Sequence, residues 1–143
     1  MHGDHVIIAG FGLPGRAIAR VLDENHTPYC VIELNPEIAR RCAPAIVQII
    51  TGDVRHEDCL REAGIESASM IAIAIPDEAA TLEALPVARK LNPNIRILAR
   101  CWYTSAGFKA LSMGADQVVV AETVVAAEFE RFLKSELGKP SAR

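Results

Sequence analysis

The chain has 143 residues, of which half are apolar and 23% are charged, and its formal net charge is −3 at pH 7. This length and composition are typical of a single globular domain with a hydrophobic core. Because the chain is slightly acidic and has no cluster of basic residues, we expect no nucleic-acid partner and no direct binding to anionic lipid. The longest apolar run, MIAIAI at 70–75, is too short to span a membrane, and the start MHGDH lacks the apolar segment of a signal peptide.

The four cysteines form no C-x-x-C pair, which favours reduced thiols in a cytoplasmic protein. His56 and Cys59 are three residues apart and can share one side of a helix, but two ligands do not make a zinc site. The sequence therefore predicts a cytoplasmic chain without a metal centre.

Taken in chain order, short apolar runs bounded by turn residues alternate with helical patterns. The predicted strands are residues 5–9, 29–34, 46–50, 70–76, 95–100 and 117–120. The predicted helices are residues 15–25, 35–43, 57–63, 77–91, 105–114 and 122–137. Asn35 is the expected N-cap of the second helix, Gly64 ends the third, and Pro86 is expected to kink or interrupt the fourth. This alternation predicts an α/β fold: a Rossmann-like, doubly wound sheet of six parallel strands followed by a C-terminal helix.

The turn after the first predicted strand has the sequence GFGLPG, residues 10–15. A G-x-G-x-x-G pattern is informative only between a strand and a helix, which is its position here. We expect Gly10 to allow the tight exit from the strand, Gly12 to let a pyrophosphate approach the backbone, and Gly15 to let the helix pack closely on the sheet. The N–H groups and the dipole of the following helix then face the anion, and Pro14 is tolerated in a first helical turn. The alternative is that the glycines only turn the chain.

Glu33 supplies the second half of this pattern. It lies eighteen residues after Gly15, close to the spacing of the acid that accepts hydrogen bonds from ribose hydroxyls. An acid here repels a 2′-phosphate, which favours NAD or a plain adenosine ligand over NADP. The sequence therefore predicts a nucleotide site at the carboxyl end of the sheet.

Beyond the glycine turn, the segments YCVIELNPE, IITGD, IAIAIPDEAAT, NPNIRILAR and GADQVVVAE occur in an order that resembles the RCK/KTN family. These are the Trk-type NAD-binding regulatory domains of bacterial potassium channels, potassium transporters and Kef-like cation/proton antiporters. The resemblance covers residues 5 to about 123, and its GAD-x-V-V segment is more specific than the glycine turn. It implies NAD(H) as the cofactor, with AMP, ADP or ATP as the alternative.

The resemblance also implies a nucleotide crevice at the carboxyl ends of the strands. It implies that the glycine turn binds the phosphates, that Glu33 binds the adenosine ribose, and that Arg100 reaches toward the phosphates or the nicotinamide side. It places residues 52–53 beside the adenine and residues 76–77 in the crevice. The candidate cofactor-binding residues are Gly10, Phe11, Gly12, Leu13, Pro14, Gly15, Glu33, Leu34, Asn35, Gly52, Asp53, Val54, Ile75, Pro76, Asp77 and Arg100.

Three of these residues have an alternative explanation, since Asp53 and Asp77 can be helix N-caps and Arg100 a surface charge. The chain also differs from many relatives in carrying Leu13 in place of a basic residue and Asn35 in place of an acid. These differences leave the ligand open between NAD, NADH, AMP, ADP and ATP.

The sequence favours a regulatory domain over an enzyme. A dinucleotide-binding unit takes most of 143 residues and leaves little chain for a substrate site. None of the four histidines follows the fourth, fifth or sixth predicted strand, where a catalytic residue would meet a nicotinamide. The alternative is a stand-alone NAD-dependent oxidoreductase or cofactor-binding domain.

In the last predicted helix, Val125, Phe129, Phe132 and Leu133 form an apolar stripe. The stripe either covers the domain's own sheet or, as the resemblance implies, crosses to a second subunit. We expect a homodimer that acts, at the inner face of the cell membrane, on a membrane-embedded potassium channel, transporter or antiporter. The expected parts are a Rossmann-like nucleotide-binding domain (1–121), a crossover and dimerisation helix (122–137) and a flexible tail (138–143).

Overall fold

The computed structural model describes residues 4–43, 46 and 48–140, along which strands and helices alternate. The strands are β1 (Val6–Ala9), β2 (Tyr29–Glu33), β3 (Ile49–Thr51), β4 (Met70–Ile73), β5 (Arg96–Cys101) and β6 (Gln117–Val120). The helices are α1 (Leu13–Glu24), α2 (Pro36–Cys42), α3 (Glu57–Glu62), α4 (Glu78–Leu91), α5 (Thr104–Ser112) and α6 (Ala121–Leu137).

The six strands form one sheet in the order β3-β2-β1-β4-β5-β6, and every neighbouring pair is parallel. β1 is central, with Ile8 opposite Val31 of β2 on one side and Ala72 of β4 on the other. The chain therefore reverses its winding direction at β1 and β4, where doubly wound sheets open a ligand crevice at the carboxyl ends of the strands. The predicted fold class is confirmed.

Helices cover both faces of this sheet. On one face, α1 and α2 pack over a buried cluster that includes Ile8, Phe11 and Val31. On the other face, α3, α4 and α5 pack over a larger cluster that includes Leu60 and Leu85. Because both faces of the central strands are covered, β1 is apolar and buried along its whole length.

The predicted element bounds differ from the structure mainly at two strands. The third strand was expected at 46–50 but begins at Ile49, and Val47 lies outside the described residues. The fourth was expected at 70–76 but ends at Ile73, so that residues 74–76 lie beyond the strand, although the N–H of Ala74 still donates to the carbonyl of Ala9 in β1 at 2.8 Å. The apolar pattern could not show this end, because residues 74–76 are as apolar as the strand. All other bounds agree to within two residues.

Of the two effects predicted for Pro86, a kink or an interruption of the fourth helix, the interruption is wrong, because α4 runs through Pro86 without a break. Proline removes the N–H that would bond to the carbonyl four residues earlier. Pro86 lies on the exposed side of α4, where water can hydrogen-bond to that carbonyl in place of the missing donor. The other local predictions are confirmed: the Asn35 side chain accepts a hydrogen bond from the N–H of Glu37 at 2.9 Å, and Gly64 follows α3 with a φ of +77°.

The GAD segment, residues 114–116, joins α4, β5 and β6. The carboxylate of Asp116 accepts a hydrogen bond from the N–H of Ile97 at 2.7 Å and pairs with Arg89 at 3.0 Å. The backbone N–H of Ile97, together with Arg89, holds the pKa of Asp116 below its usual range. Arg89 also donates to the carbonyl of Gly114 at 2.6 Å. This motif therefore stabilises the half of the sheet beyond β4.

Helix α6 has no buried residue. Its first turn is anchored by Glu122, whose carboxylate accepts hydrogen bonds from the N–H and hydroxyl of Thr104 at 2.7 and 2.6 Å. The stripe formed by Val125, Phe129, Phe132 and Leu133 is exposed, with Phe129 at 66% of its full accessibility. The first alternative for the stripe, that it covers the domain's own sheet, is wrong.

Candidate functional site

A cavity of about 540 Å³ lies at the carboxyl ends of the strands, within the range of small-molecule sites, roughly 300–1,000 Å³. It is lined by the turn segments 10–14, 32–35, 52–55 and 74–77, by Arg100 of β5, and by Ile38 and Ala80 of the helices. The position matches the switch point of the sheet. The cavity is therefore the candidate functional site.

The three glycines of the turn after β1 have different surroundings. Gly10 has a φ of +93°, and a Cβ there would lie 3.0 Å from the carbonyl oxygen of Ala74. At Gly15 a Cβ would lie only 2.0 Å from the carbonyl oxygen of Gly10, so α1 packs directly on the turn. At Gly12 a Cβ would meet no atom within 4 Å, and Gly12 lines the cavity. Two glycines are thus required by packing, whereas the third leaves the backbone open to a ligand.

Helix α1 begins directly at this open position. Gly12 is its N-cap residue and supplies no side-chain hydrogen bond, and Pro14 lies in the first turn. The first N–H groups of a helix lack partners within the helix, and the helix dipole places about half a positive charge there. The backbone at Gly12 and Leu13 can therefore bind an anion that enters the cavity.

Glu33 is 7% exposed, and its carboxylate links two turns. One oxygen accepts a hydrogen bond from the N–H of Phe11 at 2.9 Å, and the other accepts one from the N–H of Asn35 at 2.7 Å. An ionised carboxylate has about four acceptor positions, so two remain for hydroxyl donors. Glu33 can hold the glycine turn in place and accept hydrogen bonds from a diol at the same time.

The turn after β3 brings an ion pair to the cavity. Asp53 accepts hydrogen bonds from the backbone N–H of Arg55 at 2.9 Å and from its guanidinium at 2.6–3.1 Å. Hydrogen bonds from the Arg55 side chain lower the pKa of Asp53 to about 2. The guanidinium also bonds to Glu83 of α4 at 3.2 Å. Asp53 is not the N-cap of α3, because His56 occupies that position.

The opposite wall of the cavity is formed by the turn after β4 and by Arg100. Asp77 lines the cavity and is also the N-cap of α4, because it accepts a hydrogen bond from the N–H of Ala80 at 3.1 Å. The guanidinium of Arg100 lies 4.3 Å from the ring centre of Trp102. Trp102 is fixed in turn by its indole N–H, which donates to the carbonyl of Pro76 at 2.8 Å. Within this wall, the turn after β4 and Arg100 are therefore linked by the Trp102 side chain, on which the Arg100 guanidinium stacks.

The structure brings fifteen of the sixteen candidate residues to this one cavity. The exception is Gly15, which lies against the turn instead of in the cavity. Sequence reasoning missed five lining residues, Ile32, Ile38, Arg55, Ala74 and Ala80. Arg55 is the most important of them, and its spacing of two residues from Asp53 in a predicted turn was a usable signal. The four small or apolar residues carried no signal of their own.

The charged lining residues are Glu33, Asp53, Arg55, Asp77 and Arg100. No histidine, cysteine, serine or lysine occurs among the described residues that line the cavity. In the described part of the chain, no group of three or more acidic, histidine or cysteine side chains is placed to hold a metal ion. The arrangement offers anion binding, hydroxyl recognition and apolar contact.

The sequence of residues 6–121 matches the model of the TrkA-N domain family. The chain belongs to this family. The match runs from the first residue of β1 to the first residue of α6, so it includes the whole sheet and every turn of the cavity.

Among curated relatives, this TrkA-N domain is 31% identical over 119 residues to the probable potassium channel protein 2 of Methanocaldococcus jannaschii. It is 28% identical over 123 residues to the putative cation/proton antiporter YbaL of Escherichia coli. These matches take 81% and 86% of this chain but only 35% and 22% of those proteins. The chain therefore spans about a third or less of the length of either relative.

Among solved structures, the TrkA-N domain of the inner membrane protein YbaL from Escherichia coli superposes with a TM-score of 0.86 at 27% identity. That match covers 92% of this chain and 97% of the other. The GsuK structure bound to ADP superposes with a TM-score of 0.82 at 28% identity, over 93% of this chain and 34% of the other. A GsuK channel structure bound to NAD is also similar, with a TM-score of 0.83 at 27% identity over 95% of this chain and 24% of the other.

Within the part of the chain that the structure describes, no helix is long and apolar enough to cross a bilayer.

Proposed function

We propose that this TrkA-N domain is a nucleotide sensor that controls a membrane potassium channel, transporter or potassium/proton antiporter. The nucleotide, NAD(H) or an adenosine phosphate, binds in the cavity. It changes the arrangement of a homodimer, and that change reaches the membrane protein, which is part of the same chain or a separate one. The sensor then lies at the cytoplasmic face of the membrane.

The observation that carries this proposal is the combination of an open Gly12 at the start of α1 with the Glu33 carboxylate beside it in the same cavity. A phosphate at Gly12 meets helix N–H groups, and a ribose beside it meets the two remaining acceptor positions of Glu33. Apolar walls, such as Ile32 and Val54, suit the faces of an adenine ring. In the same family, GsuK is bound to ADP and to NAD in its structures.

The lining chemistry supports binding without catalysis. Proton transfer at a nicotinamide substrate usually uses a histidine, a lysine or a carboxyl group with a raised pKa. The carboxylates here are engaged by backbone N–H groups or by Arg55, as described for Glu33, Asp53 and Asp77. Relatives that contain this domain are described as a potassium channel and as a putative antiporter.

A homodimer is proposed because the stripe on α6 has no covering element among the described residues. A continuous apolar stripe on an exposed helix is stabilised by a partner. Ligand binding is coupled to the membrane protein only if the ligand has different affinities for two dimer arrangements.

The test is a calorimetric titration of the purified chain with NADH, NAD, AMP and ATP, while the absorbance of NADH is followed. Binding of at least one nucleotide without oxidation of NADH is the expected result. Turnover of NADH with an added substrate would instead make the chain an oxidoreductase. If none of the four nucleotides binds, the nucleotide-sensor proposal is overturned.

The dimer is tested by sedimentation at micromolar concentration with and without nucleotide. We expect a dimer whose sedimentation coefficient changes when nucleotide is added. A monomer under both conditions would exclude the proposed coupling for this chain.

A further inference from the structure

The charges around the cavity indicate which class of nucleotide it accepts. Its lining contains three carboxylates, those of Glu33, Asp53 and Asp77, and two guanidinium groups, those of Arg55 and Arg100. The lining therefore carries a net charge of −1 before any ligand enters. The negative charge of the lining therefore repels a ligand that carries several phosphates.

Arg55 does not supply a free positive charge to the cavity. Its Nε and Nη2 groups donate to Asp53 at 2.6–3.1 Å, and its Nη1 group donates to Glu83 at 3.2 Å. All three guanidinium nitrogens thus face carboxylates. Because two carboxylates share one guanidinium, this wall of the cavity is negative overall.

Arg100 is the remaining cation of the lining. Its guanidinium stacks on Trp102 at 4.3 Å, and no carboxylate pairs with it within the described residues. Trp102 is itself fixed by hydrogen bonds to the carbonyl of Pro76 at 2.8 Å and to the carboxylate of Glu78 at 2.6 Å. Stacking leaves the edge of the guanidinium available for hydrogen bonds to a phosphate.

The glycine turn adds little positive charge. Leu13 lines the cavity at the first position of α1 and is 80% exposed, and Pro14 has no N–H to donate. The part of α1 that lines the cavity therefore offers backbone N–H groups and the helix dipole, about half of one charge. Arg16, one turn into α1, is exposed but does not line the cavity.

We propose that this cavity selects nucleotides of low negative charge, namely AMP or NAD⁺, over ATP, in addition to the discrimination against NADP⁺ that Glu33 predicts. One guanidinium and one helix terminus match one phosphate or one pyrophosphate. The nicotinamide cation of NAD⁺ offsets part of its pyrophosphate charge, and Asp77 lies on the wall beside Arg100. Among the residues that the structure describes, the lining contains no other unpaired cation that could bind a further phosphate. This inference rests on the proposed nucleotide binding and adds the selectivity of the same site.

The experiment is a calorimetric titration with AMP, ADP, ATP, NAD⁺ and NADP⁺, in EDTA so that magnesium does not neutralise the phosphates. We expect the wild type to bind AMP and NAD⁺ at least tenfold more tightly than ATP and NADP⁺. We expect this ratio to fall as salt is added, because screening weakens repulsion between charges. ATP binding as tight as that of AMP would overturn the inference while leaving nucleotide binding intact. Failure of all five ligands to bind would overturn the proposed function and the inference with it.

Leu13→Arg tests whether the lack of a basic side chain at position 13 determines the ratio of the AMP affinity to the ATP affinity. Leu13 is exposed, so the variant is expected to fold, and its thermal midpoint verifies this. The matched control is Val21→Arg, which adds the same charge to the same helix at an exposed position outside the cavity. We expect Leu13→Arg to reduce the preference for AMP over ATP about tenfold and Val21→Arg to leave it unchanged. Equal effects of the two variants would overturn the local-charge explanation.

Discussion

The cavity and helix α6 differ in whether their side chains find partners within the same chain. In the cavity, the inward carboxylates have partners in the same chain: Glu33 accepts two backbone hydrogen bonds, and Asp53 pairs with Arg55. On α6, the apolar side chains of the stripe have no covering element in the described residues. The polar groups of the cavity are therefore largely satisfied within one chain, whereas the stripe on α6 is an exposed apolar surface, which in the proposed function is covered by a second subunit.

This difference indicates that the two parts of the proposed function, nucleotide binding and signal transmission, are located in separate regions of the molecule. Nucleotide affinity is set by turns whose geometry is fixed within a monomer. In the proposed function, signal transmission depends on α6, which extends from β6 and is anchored at its first turn by Glu122. Substitutions in the turns should therefore change binding or stability, and substitutions on the stripe should change assembly alone.

Gly15→Val is expected to have the largest effect. The new Cβ would lie 2.0 Å from the carbonyl oxygen of Gly10, a backbone atom that cannot move without shifting α1 from the sheet. We expect the free energy of unfolding to fall by about 3 kcal/mol, measured by urea denaturation. The control is Gly12→Val, whose Cβ meets nothing within 4 Å and which should lose about 1 kcal/mol or less, because only the N-cap preference for glycine is lost. Similar losses in both variants would contradict the distinction between a packing glycine and an open one.

Glu33→Ala is expected to be the next most damaging change. It removes the acceptor of two N–H groups, those of Phe11 and Asn35, and the free energy of unfolding should fall by about 2 kcal/mol. Glu33→Gln keeps one acceptor oxygen and should cost less. Thermal and urea unfolding of both variants check the order. A Glu33→Ala variant as stable as the wild type would show that the carboxylate does not hold the two turns together.

On α6, Phe129→Asp places a charge in the middle of the stripe. We expect the dissociation constant of the dimer to rise at least tenfold, with no change in the free energy of unfolding of the sheet domain. Lys134→Ala, on the polar side of the same helix, changes the net charge equally and serves as the control. Sedimentation velocity over a range of concentrations measures both. If both variants lose assembly, the change in net charge explains the loss, and the stripe is not the dimer contact.

Asp53→Asn is expected to have the smallest effect, which depends on pH. The pKa of Asp53 is lowered to about 2 by its hydrogen bonds to Arg55, so its ionised form stabilises the fold above the ordinary carboxyl pKa. Above pH 5, the free energy of unfolding of the wild type should be about 1 kcal/mol larger than that of the variant. The difference is small because the ion pair is partly exposed. The difference should shrink as the pH falls from about 4 toward 2. Urea denaturation at pH 6 and pH 3 measures it, and a difference that grows on acidification would contradict the assignment.

Much of the fold could be predicted from the sequence because local signals agreed with one another. The apolar runs marked the strands, and the glycine turn between a strand and a helix located the crevice. The carboxyl end of β4 and the continuity of α4 could not be predicted. Apolar residues 74–76 look the same in a strand and in a turn, and the cost of Pro86 depends on its exposure, which only the tertiary structure sets.

For the site, the sequence named residues that the structure brings together, but it did not show how they interact. Glu33 was expected to bind ribose, and the structure adds that it also links two turns. Asp77 has both of its predicted positions at once, as a helix cap and in the cavity wall. The pairing of Arg55 with Glu83 joins residues 28 apart in the chain, and a single sequence contains no signal for such a contact.

The measurement that tests the central claim most directly is a paired titration of AMP into the wild type and Gly12→Val. The thermal midpoint of the variant should lie within a few degrees of the wild-type value, because the added Cβ meets no atom within 4 Å. If the nucleotide phosphate lies against the backbone at Gly12, the affinity of the variant should fall at least tenfold. Equal affinities at equal stability would contradict the account and place the nucleotide outside this cavity.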